Sequence, residues 1–192
     1  HFIFDGDTFR VHKTDQLNRL VVASGATQFR VDLDLQAARP TEEQLLDVLT
    51  RLPVSTGSSL RDTLGTVSGA GQATQAEGGL NRLLESPANR VLYEQLAHSF
   101  VVVCLDMESH PASFEEAARR AFVGNCANRW FHTSLQLVVF GNGKACLILN
   151  PDTGLTGNAM MRAGAEIYRR SRACPSPQTR IRATAAAIQR LD

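Results

Sequence analysis

Leu135-Gln136-Leu137-Val138-Val139-Phe140-Gly141-Asn142-Gly143-Lys144-Ala145-Cys146-Leu147-Ile148-Leu149 decides the fold class. Two apolar, β-branched runs, Leu135 to Phe140 and Lys144 to Leu149, are joined by Gly-Asn-Gly, a link suited to the positive φ values of a tight hairpin. Antiparallel neighbours are therefore expected at this point of the chain.

Working outward from it, the surroundings alternate between strand and helix signals. Upstream, Phe100 to Leu105 is a continuous apolar run of strand length, which reads as a buried strand. Ser113-Phe114-Glu115-Glu116 has the spacing of a capping box and predicts a helix with Phe114, Ala118 and Phe122 on one apolar face. Ser86-Pro87 predicts another helix start, with Val91, Leu92 and Leu96 as its stripe up to His98. Downstream, Asn158 to Arg170 predicts a helix with Met160, Met161, Ile167 and Tyr168 as an ordinary core stripe. Pro175 and Pro177 then separate it from a last helix over Gln178 to Leu191.

Nearer the start, Phe2 to Phe4 and Phe9 to His12 flank Asp5-Gly6-Asp7-Thr8, a second hairpin signal, and Leu20 to Ala23 adds a strand. Phe29, Val31, Leu33 and Leu35 alternate with charged residues, as a strand with one wet face does. Thr41 to Gln44 opens a helix by a capping box, with Leu45, Leu49 and Leu52 on one face. Residues 54–79 are rich in Ser, Thr, Gly, Ala and Gln and read as a loop, with a short helix near Arg61 to Leu64. Interleaved helices with two hairpins predict an α/β chain: a two-layer, mixed β-sheet with packed helices, in one domain over residues 1–192, with 171–178 linking to the C-terminal helix.

Composition excludes several function classes. With 20 Lys+Arg against 19 Asp+Glu, the formal charge of +1 supplies no broad field for nucleic acid or an acidic membrane surface. No apolar stretch approaches the roughly 20 residues of a membrane span. Cys104, Cys126, Cys146 and Cys174 are scattered, without metal-ligand spacing, and point to an intracellular, cytoplasmic setting. No metal site and no tightly bound cofactor is expected. Neither GxSxG nor a Cys beside a His occurs, and Gly69-Ala70-Gly71 is no phosphate cradle. The start at His1 reads as opening inside a strand, so further sequence upstream is expected.

Phe100-Val101-Val102-Val103-Cys104-Leu105-Asp106 and Asn128-Arg129-Trp130-Phe131-His132-Thr133-Ser134-Leu135-Gln136 resemble the choline/carnitine acyltransferase family, which reads approximately FVVCLD and NRWFDKSLQ in the same order. Arg61 to Leu64 resembles the family's RDxWA segment, Asn89 to Leu96 its helix before FVVCLD, and Gly143-Lys144-Ala145 its GKAGL. The resemblance runs from about Phe4 to about Arg170. It implies a chloramphenicol acetyltransferase-like fold, of which this chain would be most of one half. The motif positions carried over are Asp106, Asn128, Arg129, Trp130, Phe131, Ser134 and Gln136.

Family chemistry, by that resemblance, needs a His as general base after GKAGL, in EHS/T-x-x-DG, to take a proton from an alcohol that attacks an acyl-CoA thioester. Here the stretch from Leu149 to Gly157 holds no histidine, and the position falls on Pro151 or Asp152. Proline has no ionisable group, and an ordinary aspartate, with a pKa of about 3.9, is a poor base toward an alcohol. His132, where the family has Asp, precedes the hairpin instead of following it. Asp152 and His132 are thus the candidate catalytic residues, neither matching the family's base.

Read without the resemblance, Trp130 is a core anchor, Arg129 a partner for a buried carboxylate such as Asp106, and His98 a helix-end residue. The expected function is an acyltransferase-like domain without conventional acyl transfer, serving as a structural or acyl/CoA-binding module with acyl-CoA as a possible substrate. The alternative is a fragment or subunit of an active acyltransferase. Either way an uncovered apolar face is expected, met by the remaining acyltransferase half, another domain or a second copy.

Overall fold

A computed structural model describes residues 2–5, 8–11, 19–25, 27–32, 42–52, 81–99, 101–123, 128–150, 157–173 and 187–191. Strands β1 (Phe2–Asp5) and β2 (Thr8–Val11) pair antiparallel, Phe2 opposite Val11, as their turn residues predict. Six further strands form one mixed sheet: β3 (Arg19–Ser24), β4 (Thr27–Asp32), β5 (Val102–Asp106), β6 (Leu135–Phe140), β7 (Ala145–Leu149) and β8 (Ala187–Leu191), in the order β7-β6-β5-β3-β4-β8. Among the described residues, a helical turn over 81–84 and four longer helices accompany it: α1 (Glu42–Arg51), α2 (Pro87–Ala97), α3 (Phe114–Val123) and α4 (Gly157–Ala173).

The three middle strands β3, β5 and β6 run parallel, and antiparallel partners close each side. Central parallel strands need apolar residues on both faces, which Val102-Val103-Cys104 supplies. Val21, Val102, Cys104, Val138 and Phe140 pack with Leu96, Ala117, Ala121 and Trp130 on the face under α2 and α3. Their strand neighbours Leu20, Val22 and Val103 pack with Phe29, Val31, Val48 and Leu52 on the reverse, under α1. Each fully buried Val or Leu contributes roughly 1.5–3 kcal/mol as an upper bound.

The deciding hairpin has the expected geometry. Phe140 N–H donates to Lys144 O at 2.9 Å, and Gly143 sits at φ +79°, where glycine carries no Cβ penalty. Its turn is clasped to the loop before α3, Asn142 Nδ2 and Lys144 Nζ both donating to Pro111 O at 2.8 and 3.0 Å. The capping box of α3 also forms: Glu116 N–H donates to Ser113 Oγ at 3.1 Å, while the Glu116 carboxylate accepts from Ala112 N–H at 2.7 Å. That backbone hydrogen bond, with the Arg120 guanidinium second, holds the Glu116 carboxyl below its usual range.

Three expectations are corrected. Phe114, Ala118 and Phe122 do share a face of α3, but it is the outer one, with Phe114 68% and Phe122 59% exposed. The helix instead turns Ala117 and Ala121 inward, because these small side chains admit its backbone close to the sheet and because Arg129 Nε anchors Ala121 O at 2.9 Å. Helix α4 runs past the expected end at Arg170 to Ala173, taking in the start of the expected 171–178 linker, yet none of its residues is buried, and Met161 is 76% exposed, so its apolar stripe is not core. Of the helix expected over Gln178 to Leu191, the described residues 187–191 form a strand instead. β8 pairs antiparallel with β4, Ile188 opposite Val31, and the free hydrogen-bonding edge of β4 outweighs the helix propensity of alanine.

The loop expected at 54–79, the short helix near Arg61, the cap at Thr41 and the linker residues 174–178 lie outside the described residues. No helix among the described residues is long and apolar enough to cross a membrane.

Candidate functional site

Asp106 ends β5 opposite Phe140, while the segment Asn128 to Ser134 leads into the other end of β6, so side chains and not strand pairing join Asp106 to this segment. Arg129 points back into this junction with 1% of its side chain exposed. Its Nη2 lies 2.7 Å from Asp106 Oδ2 and its Nη1 3.2 Å from Oδ1, a two-pronged pair. Asn128 Oδ1 accepts from Nη1 at 2.5 Å, and Asn128 Nδ2 in turn donates to Asp106 Oδ1. Burial works against the charged guanidinium, but the Asp106 carboxylate outweighs it and raises the Arg129 pKa above its ordinary value.

Gln136, buried at the start of β6, fixes the other end of the segment. Its Oε1 accepts from Trp130 N–H at 2.7 Å and from the Cys104 thiol at 3.7 Å. Burial, only partly opposed by Arg129, pushes the Cys104 thiol up to about 12, so it is an inert hydrogen-bond donor. Trp130 is a core anchor as expected, with Tyr93 edge-on at 5.7 Å and the His132 ring at 5.3 Å.

Of the two candidate bases, Asp152 and its neighbour Pro151 lie outside the described residues. His132 is half-buried, and burial lowers its pKa, favouring the neutral imidazole. Its Nδ1 is enclosed without a hydrogen-bond partner, as is the adjacent Thr133 Oγ1. A catalytic imidazole ordinarily has one nitrogen held by an acceptor so that the other presents its lone pair. Among the described residues no acceptor meets His132 Nδ1, so that orienting contact is missing there.

One residue that the sequence reading did not single out ties these parts together. Asn150 Nδ2 donates to Phe131 O at 3.0 Å and Asn150 N–H to Ser134 O at 3.2 Å, on either side of His132 and Thr133. The chain therefore leaves β7 alongside the His132 loop. Nothing in periodicity signals this, because it depends on the antiparallel register that sets Leu149 opposite Leu135. Among the described residues no group of three or more His, Cys, Asp or Glu side chains could hold a metal.

A mixed-sheet α/β domain in which an FVVCLD-like strand and an NRWF-like loop are locked together by a buried ion pair has the architecture of an acyltransferase domain. The choline/carnitine O-acyltransferase family model matches residues 5–185, and the chain belongs to that family. It is 33% identical over 63 residues to the mitochondrial carnitine O-acetyltransferase of Saccharomyces cerevisiae (33% of this chain, 9% of that protein). It is also 39% identical over 57 residues to a highly reducing polyketide synthase of Aspergillus luteorubrus (30% of this chain, 2% of that protein). The matches thus span less than a tenth of either relative.

Proposed function

We propose that this choline/carnitine acyltransferase-like domain lacks conventional acyl transfer and acts as a structural or acyl/CoA-binding module. The observation that carries the reading is the absence of any histidine from Leu149 to Gly157, where the family resemblance implies the general base. The reading is also supported by His132 lacking, among the described residues, the acceptor at Nδ1 that ordinarily orients a general base. Acyl-CoA is then a ligand bound in passing, with no tightly held cofactor. The free thiols of Cys104 and Cys146 support a reducing, cytoplasmic setting.

A second reading, a fragment or subunit of an active acyltransferase, draws on two observations. The relatives extend far beyond the matched segment, and the exposed Phe114, Phe122 and Met161 side chains offer apolar surface to a remaining half, another domain or a second copy. Incubating the chain, alone and with any co-purifying protein, with acyl-CoA and carnitine or choline separates the two by release of free thiol. No turnover under either condition is expected. Turnover lost in Asp152→Asn or His132→Ala would establish the second reading, and turnover surviving in both variants would overturn each.

A further inference from the structure

We draw no further inference here: the strongest candidate, the exposed apolar arc of α4 formed by Met161, Ile167 and Tyr168, is an unpartnered helix face, and nothing in the structure shows what covers it.

Discussion

Arg129 and Asp106, 23 residues apart in sequence, form a two-pronged ion pair of which the arginine is 1% and the aspartate 11% exposed. An enclosed guanidinium is tolerated because its donors are satisfied: Nη1 donates to Asp106 Oδ1 and Asn128 Oδ1, Nη2 to Asp106 Oδ2 and Arg120 O, and Nε to Ala121 O. The pair therefore fastens the end of β5, the last turn of α3 and the entry to β6 to one another.

Removing one partner leaves the other charge buried and alone. Arg129→Met is expected to destabilise the fold by about 3–5 kcal/mol. The double variant Arg129→Met/Asp106→Leu should recover part of that loss, because no unpaired charge remains. Urea unfolding of the three proteins checks this; equal costs for the single and double variants would show that the pair acts through packing alone.

The lowered pKa of His132 makes stability depend on acidity. In the unfolded chain the ring takes up a proton near its ordinary value of about 6.5, while in the folded chain it does so only at lower pH. The unfolded state then binds more protons between those two values, and stability falls as pH drops through that window. In His132→Phe this portion of the dependence should vanish. Unfolding free energies at pH 7.5 and 5.5 for both proteins test it, and parallel curves would refute it.

Burial holds the Cys104 thiol far from its thiolate form. Labelling with iodoacetamide at pH 8 should leave Cys104 unmodified in the native protein and modify it in urea, as read by peptide mass spectrometry. Rapid native labelling would mean that the strand opens readily.

The two glycines at the tip of the β6–β7 hairpin predict unequal costs. A Cβ on Gly141 would lie 2.0 Å from the Met107 carbonyl oxygen, a backbone atom that has no rotamer to change. Gly141→Ala should therefore lose about 3 kcal/mol or more. At Gly143 the space is open, and only the left-handed φ of +79° opposes a side chain, so Gly143→Ala should lose about 1–2 kcal/mol. Thermal unfolding ranks them; a reversed order would contradict the close approach at Met107.

Much of this fold is readable from local chemistry. The Gly-Asn-Gly link, the buried run ending at Asp106 and the Ser113 cap each act over a few residues, and each forms as its residues dictate. The failures share a cause. Whether Phe122 or Ala121 faces inward depends on the anchor that Arg129 gives to the last turn of α3, and whether residues 187–191 are helix or strand depends on a vacant edge far away in sequence. Periodicity finds a stripe but not the neighbour that decides which way it turns.

The site shows the same division. Pairing of Arg129 with Asp106 follows from the rule that an enclosed charge needs a counter-charge, and the missing imidazole is visible in the residue order itself. The bracket that Asn150 puts around His132 is not, because it exists only once two strands are in register.

The placement of β8 against β4 has a consequence for biosynthesis. β4 pairs with a strand that begins only at Ala187, and β3 with one that begins at Val102. As the polypeptide emerges from the ribosome, the β3–β4 ribbon keeps its β3 flank open until β5 is made and its β4 flank open until β8 follows. Such delayed, long-separation pairing slows assembly and lengthens the interval in which sticky edges meet other nascent chains.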